Sequence, residues 1–208
     1  LDNIAIGRNA LATQDVPSVN IAIGNAALTA NTSGFGNIGI GASALTANTT
    51  GQRNTAVGQE SLDNNTTASY NTAIGFEAGE ANTTGNSNVF IGHRAAYLNT
   101  TGSLNVAVGK QALTADVLGS RSTAVGFGAL QAQSFSSSAT DSYNTAVGMW
   151  AGKEVTTGTQ NTCIGGLAGD TIETGTTSTL LGYNVDTSDS SPTGQIVIGS
   201  NINSGGSN

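Results

Sequence analysis

The chain has 208 residues, a net charge of −7 and 9% charged residues, against about 25% in an average soluble domain. One Cys excludes a disulfide framework or a cysteine-rich zinc site, and one His leaves little material for histidine-based metal or acid–base chemistry. The 13 Asp and Glu against 6 Lys and Arg argue against a nucleic-acid partner, and no run of about 18 apolar residues is present for membrane insertion.

A short string, Asn-x-Ala-Ile/Val-Gly, recurs every 17 residues and defines about twelve repeats. We number each repeat from its first residue, position 1, and call each repeat a coil. Coils 1 to 7 begin at Asn3, Asn20, Asn37, Asn54, Asn71, Asn88 and Asn105. More degenerate coils 8 to 12 begin at Ser122, Asn144, Asn161, Ser178 and Gln195, and coil 8 is about five residues longer than the others.

Several positions keep one residue type through the repeats. Position 2 is β-branched, position 4 is aliphatic, position 8 is usually Ala, and many coils contain Asn-Thr-Thr-Gly at positions 12 to 15. Position 5 is Gly in every coil: Gly7, Gly24, Gly41, Gly58, Gly75, Gly92, Gly109, Gly126, Gly148, Gly165, Gly182 and Gly199. This regularity is typical of a repeat architecture rather than of a disordered polar tract.

The pattern predicts an all-β fold, a parallel β-solenoid of about twelve 17-residue coils. Positions 2 to 4 form a short strand, and the glycine ends it because a corner needs φ > 0 or a close backbone approach. We expect a second short extended piece at positions 7 to 9, a return turn at Asn-Thr-Thr-Gly, and a ladder of position-1 Asn amides between coils. Residues 1–208 form a single unit, with a longer loop within 131–143 and an irregular end at 200–208.

Each coil offers few and small apolar side chains, so association of several chains is expected to bury a second apolar stripe. In a strand, the side chains of positions 2 and 4 point opposite to that of position 3. One set faces the interior of the coil and the other a neighbouring chain, and the sequence leaves open which is which.

Several individual residues are explained most simply by structural roles. His93, just after a corner glycine, is read as an exposed turn residue, with a metal ligand on a threefold axis as the alternative. Cys163 at position 3 is read as a small buried apolar residue. The Asp and Glu residues are expected to be scattered and to form no repeated site, and we expect no catalytic residue, metal or cofactor. Asn-x-Ser/Thr sequons coincide with the return turn, at Asn31, Asn48, Asn65, Asn82 and Asn99.

The insertion in coil 8 is the irregular feature of the chain. Insertions in solenoids form loops on one face, often a binding face. Phe135 and Tyr143, with Trp150 on the next coil, are therefore candidate receptor-contact residues, since exposed rings suit carbohydrate. The alternative is a spacer loop in which Phe135 folds back onto the solenoid.

The segment from Asn71 to Gly85 resembles repeats of phage tail fibres that end in an intramolecular chaperone domain. Its Asn-x-Ala-Ile-Gly-x-x-Ala core is also similar to the head repeats of trimeric autotransporter adhesins. The resemblance implies a homotrimeric, left-handed β-roll located outside the cell, on a virion tail fibre or on a bacterial surface. Its partners would be host-surface carbohydrate or protein.

The sequence thus favours a non-enzymatic structural or adhesive fibre segment that works in host attachment. The head of a bacterial adhesin is the alternative. An ice-binding β-solenoid is a further alternative, because Thr recurs at position 2 and in the turn, although the adjacent Thr pairs would point in opposite directions.

Overall fold

The structure is a computed structural model that describes residues 2–14 and 18–203. Twelve strands form one sheet, with a separate two-stranded sheet beside it. The large sheet contains β1 (Ile4–Ile6), β2 (Ile21–Ile23), β3 (Ile38–Ile40), β4 (Thr55–Val57), β5 (Thr72–Ile74), β6 (Val89–Ile91), β7 (Val106–Val108), β9 (Thr123–Val125), β11 (Thr145–Val147), β12 (Thr162–Ile164), β13 (Thr179–Asp186) and β14 (Ile196–Asn203). The small sheet pairs β8 (Gly119–Ser120) with β10 (Thr140–Asp141).

Neighbouring strands are parallel and pair residues of the same repeat position. Ile21 pairs with Ile38 and Thr55 with Thr72, and the register continues across the lengthened coil, where Thr123 pairs with Thr145. None of the described residues lies in a helix. The predicted parallel β-solenoid of about twelve coils is therefore confirmed.

The expectation of a second extended piece at positions 7 to 9 is wrong for coils 1 to 10. These residues form turns, and the backbone alternates through the left-handed region at positions 7 and 9. In coil 4, for example, Glu60 has φ +58° and Leu62 has φ +49°. Only the last two coils extend here, where Val185 of β13 pairs with Ile202 of β14.

The side-chain direction in the strands follows the pleat. Position 3 is buried in coils 2 to 12, as at Ala56 and Ala73, while positions 2 and 4 are half-buried or exposed. The interior stripe is thus position 3, joined by positions 8, 9 and 12, and the second apolar stripe, at positions 2 and 4, lies outside.

Core volume is shared between positions of adjacent coils. Six coils place Leu in the interior at position 9, whereas coils 9 and 10 have Gly152 and Gly169 there and instead bury Val155 and Ile172 at position 12. A Cβ added at Gly169 would lie 2.6 Å from the sulfur of Cys163, so the larger residue at position 3 already fills that space. Loss of volume at one position is compensated at another, as close packing requires.

The chain end is more regular than expected. Residues 200–203 belong to β14, so they are not irregular, and residues 204–208 lie outside the described residues. Within the predicted longer loop, 131–143, β10 pairs with β8 of the preceding coil, which ties part of the insertion to the solenoid.

Candidate functional surfaces

The corner glycines face the next coil. All twelve have positive φ, between +127° and +154°. At Gly92 (φ +129°), an added Cβ would lie 2.7 Å from the carbonyl carbon and oxygen of Gly109 in the next coil. An L-residue side chain therefore meets both an unfavourable backbone conformation and a backbone clash.

The position-1 Asn residues form a buried ladder, but its bonds differ from those expected. The side-chain oxygen of Asn37 accepts from the backbone N–H of Asn54 at 2.9 Å, so most rungs link side chain to backbone. The Asn37 amide donates across its own coil to the carbonyl of Gly51 at 2.8 Å. Each such Asn both joins two coils and closes one, which explains why the residue recurs.

A second ladder runs through the return turns at position 12. Asn65 donates to the side-chain oxygen of Asn48 at 2.8 Å, Asn82 to Asn65 at 3.0 Å, and Asn99 to Asn82 at 2.9 Å. The Asn48 amide in turn donates to Asn31 at 2.8 Å. All five of these Asn residues have no exposed area, so their sequons are not accessible acceptors for glycosylation.

This ladder changes character in coils 7 and 8. Asp116 replaces Asn at position 12 and has no exposed area, and Gln133 follows it in coil 8, where its amide donates to Asp116 Oδ2 at 2.6 Å. Gln133 also donates to the Ser122 hydroxyl at 2.7 Å and accepts from the Asn144 amide at 2.8 Å. One buried side-chain atom of the described residues has no hydrogen-bond partner, and it is Oδ1 of Asn99, on the rung before Asp116.

The three candidate receptor-contact residues differ in their exposure to solvent. Phe135 is 7% exposed, so its ring lies against the solenoid, as the spacer-loop alternative requires. Its backbone N–H donates to Asp116 Oδ1 at 3.2 Å, and its carbonyl accepts from Leu118 at 3.0 Å. Tyr143 is 51% exposed and Trp150 is half-buried, so these two remain at the surface.

The surface rings pair with residues of adjacent coils. Tyr143 lies beside Arg121, 5.8 Å from the guanidinium carbon to the ring centre, and Trp150 lies 5.6 Å from Phe127. Other pairs of this kind are Phe76–His93, Arg53–Phe35, Arg53–Tyr70 and Lys110–Phe127, whereas Lys153 contacts Trp150 within one coil. The aromatic residues thereby link coils through stacking and cation–π contacts, which leaves less ring surface for a ligand.

The carboxylates are less scattered than expected. Coils 4 and 5 both carry an acidic residue at positions 7 and 10, which are Glu60 with Asp63 and Glu77 with Glu80. Burial, and to a smaller extent the charge of Glu60, raises the pKa of Asp63. Numbering all thirteen acids by repeat position would have found this repeated pair.

A second acidic group lies near the chain end. Burial, followed by a hydrogen bond and the charge of Asp186, raises the pKa of Asp170 to about 6. Asp186 accepts from Thr171 Oγ1 at 2.8 Å. Beside them a cavity of about 440 Å³ is lined by Glu154, Asp170, Thr171, Glu173, Thr187, Ser188, Asp189 and Ser190.

The remaining single residues have simple environments. His93 is exposed and stacks on Phe76 with 5.6 Å between ring centres. Cys163 is buried in the core, and burial, followed by the charge of Asp186, raises its pKa to about 12. Among residues 2–14 and 18–203 no three His, Cys, Asp or Glu side chains are grouped as a metal site, and no helix suited to crossing a membrane occurs.

Most of the exposed large apolar residues lie on and beside the strands. We call positions 17, 2, 4 and 6 of the coils the strand face. Of the 19 large apolar residues exposed in the described part of the chain, all except Phe35, Leu98 and Ile202 lie on it. They are Ile4, Ile6, Val19, Tyr70, Ile74, Phe76, Leu104, Phe127, Tyr143, Val147, Met149, Ile164, Leu181, Tyr183, Ile196 and Ile198.

Charge is unevenly distributed around the coils. Within coils 1 to 12 no Asp or Glu residue occupies a strand-face position, although Asp2, just before coil 1, lies at the equivalent of position 17. Four of the 6 Lys and Arg residues do occupy strand-face positions, namely Arg8, Arg53, Lys110 and Arg121. The strand face is thus apolar and aromatic, with a few cations, on a chain of net charge −7.

No protein-family model, curated protein or solved structure matches this chain.

Proposed function

We propose that the chain is a segment of a homotrimeric fibre, of the kind found in phage tail fibres, that supports or makes attachment to a host surface. The observation that carries this proposal is the strand face, which gathers most of the exposed large apolar side chains on one side of the solenoid. In this proposal the three copies bury their strand faces against one another, which fixes positions 2 and 4 as the subunit interface.

The dimensions of the strand face support an interface. Twelve strands at a spacing of about 4.8 Å give a length of about 53 Å, and the seven residues from position 17 to position 6 span about 20 Å. The face therefore covers on the order of 1,000 Å², against about 800 Å² per partner in a standard protein interface. It also exceeds the apolar patches of about 300–600 Å² on typical monomers.

The charge distribution supports the same arrangement. Burying a carboxylate between chains is costly unless it is paired, and the strand face has none within the twelve coils, with Asp2 lying just beyond its first coil. Its cations are long side chains at positions 6 and 17, beside the strands, where they can keep their charged ends in solvent.

The role proposed for the segment is structural and non-enzymatic, in an extracellular tail fibre. Because most surface aromatic rings pair with residues of an adjacent coil, their proposed role is to stiffen the rod. Trp150, at position 7 and outside the strand face, remains the candidate contact for host carbohydrate or protein, whereas Tyr143 lies on the strand face and would be buried in the trimer. The head of a trimeric autotransporter adhesin would use the same trimer on a bacterial surface.

Ice binding is supported less well. The hydroxyl of Thr49 donates to the carbonyl of Thr66 at 3.1 Å, and Thr66 to Thr83 in the same way at 3.1 Å. Position-13 hydroxyls are thus used between coils, and the exposed Thr at position 14 forms a single column. Purified protein should show no thermal hysteresis.

Light scattering with a matched pair of variants tests the trimer. The unmodified chain should have the mass of three chains at micromolar concentration. Ile74 on the strand face and Leu98 outside it are both 41% exposed. Ile74→Glu places three carboxylates in the interface and should reduce the mass to that of one chain, whereas Leu98→Glu should remain trimeric. Circular dichroism checks that both variants fold.

A monomeric unmodified chain at these concentrations would overturn the proposal. Equal behaviour of two folded variants would show that the strand face is not the interface. If the trimer forms, labelled trimer and monomeric Ile74→Glu can be compared for binding to bacterial cells, with Trp150→Ala as the variant of the contact residue.

A further inference from the structure

The position-12 ladder has a direction, and this direction exposes a conflict at Asp116. In each regular rung, the amide nitrogen of one coil donates to the side-chain oxygen of the preceding coil, as Asn99 does to Asn82 at 2.9 Å. The oxygen of Asn99 therefore needs a donor from position 12 of coil 7. That position holds Asp116, and an ionised carboxylate has no hydrogen to donate.

The two groups are both buried, so water does not supply the missing bond. Asn99 and Asp116 have no exposed area, and Asn99 Oδ1 has no hydrogen-bond partner. The amide hydrogens of Asn99 are already used, by Asn82 and by the carbonyl of Gly102 at 3.1 Å. An unsatisfied buried acceptor on one rung and an ionised buried carboxylate on the next would each be destabilising.

We infer that the Asp116 carboxyl group is protonated in the folded protein and donates its hydrogen to Oδ1 of Asn99, so that this rung is a buried proton-binding site. A neutral carboxylic acid has one O–H donor and keeps its acceptor capacity. It can thus satisfy Asn99 while it accepts from Gln133 at 2.6 Å, Gly119 at 3.1 Å and Phe135 at 3.2 Å.

The surroundings of Asp116 favour the neutral form. Burial raises the pKa of its carboxyl group, against hydrogen bonds from Gln133, Phe135, Gly119 and Val117 that lower it. The contacting groups from coils 6, 7 and 8 are amides and backbone N–H groups, without a cation to pair with a carboxylate. The other charged or titratable side chains of these three coils have partners elsewhere: His93 with Phe76, Arg94 with Glu77 and Tyr97, Lys110 with Phe127, and Arg121 with Asp141 and Tyr143.

Because folding raises the pKa of Asp116, its stabilising contribution is complete below the unfolded pKa and is lost as the pH rises through the folded pKa. Asp116→Asn replaces the neutral acid with an amide that donates at any pH. We expect the variant to match the unmodified chain in Tm at pH 4 and to exceed it by about 8 °C or more at pH 8, because a carboxyl group that is still protonated at pH 7 in the folded protein loses a correspondingly large contribution. Asp141→Asn, which removes an exposed carboxylate, should give no such rise.

The opposite result has a clear structural meaning. If Asp116 were ionised, its two oxygens would accept from three donors, and the Asn variant would lose acceptors and melt lower at pH 8. A lower or unchanged Tm there would overturn the inference.

Infrared spectroscopy measures the protonation state directly. The unmodified chain, with ¹³C-labelled aspartate, should show a protonated carboxyl band at pH 7 that shifts with the label and is missing in Asp116→Asn. Absence of this band from the unmodified chain at pH 7 would overturn the inference whatever the melting data. Neither measurement depends on whether the chain forms a trimer.

Discussion

Coils 2 to 6 and coils 9 and 10 have the same strand and corner but close their return turns differently. In the first group, position 12 is Asn, and in coils 3 to 6 its amide nitrogen donates to the side-chain oxygen of the preceding coil at 2.8–3.0 Å. In the second group the same position holds Val155 and Ile172, both fully buried. Coils 2 to 6 are therefore held at this point by hydrogen bonds, and coils 9 and 10 by apolar packing.

The two solutions place different demands on the sequence. An apolar residue needs only volume, which a neighbour such as Cys163 can partly supply. An amide needs a donor and an acceptor in the coils on either side, so a ladder cannot simply stop. Asp116 and Gln133 form the boundary, where Gln133 turns its oxygen to Asn144 and so ends the ladder before Val155.

The corner glycine is common to both regions, and its substitution should have the largest effect. Gly92→Val places a Cβ 2.7 Å from the backbone of Gly109 at φ +129°. We expect a loss of about 4 kcal/mol or more in unfolding free energy, or no folding at all. Gly165→Val (φ +127°), in the apolar region, should be equally damaging.

Lys110→Ala is the control for this substitution, because Lys110 is exposed on the next coil, and it should change stability by no more than about 0.5 kcal/mol. Circular dichroism and thermal melting measure all three variants. Similar melting of Gly92→Val and Lys110→Ala would contradict the corner geometry.

The sequence predicted the strands and corners because these depend on residues repeated in every coil. It did not predict the left-handed backbone at positions 7 and 9, where Glu60, Leu62 and other ordinary residues occupy a conformation usually reserved for glycine. Here the stacking of coils overrides local preference, and a single sequence carries no signal for it. The paired acids of coils 4 and 5 were readable in principle, by aligning the coils rather than reading the chain.

The conflict at Asp116 needed the structure, because it depends on which amide donates to which. From sequence alone, an Asp in place of an Asn at one turn looks conservative. The burial of Phe135 also depended on tertiary packing, since the loop length alone allowed either an exposed or an inward ring.

Substitutions at position 12 measure the difference between the two regions. Asn65→Leu leaves Asn48 without its donor and Asn82 without its acceptor, both buried, and should cost about 2–4 kcal/mol. Ile172→Val only removes a methylene group and should cost about 0.5–1.5 kcal/mol. Denaturant unfolding gives both values. A smaller loss for Asn65→Leu than for Ile172→Val would mean that packing, and not the amide ladder, stabilises the first region.

The smallest expected effect concerns Asp170, in the apolar region, whose pKa is raised to about 6 by burial and by Asp186. Because the folded pKa lies above the ordinary value of 3.8, the stabilising contribution is complete at pH 4 and is lost as the pH rises through about 6. Asp170→Asn keeps a neutral side chain at all pH values. Its Tm should equal that of the unmodified chain near pH 4 and exceed it at pH 7.5 by no more than about 2 °C, because solvent screens a carboxyl group that is only partly buried.

Glu173→Gln, on the same cavity, is the control and should not reproduce the rise in Tm expected for Asp170→Asn. A Tm difference that stays constant from pH 4 to 7.5 would contradict the raised pKa of Asp170 in the folded chain.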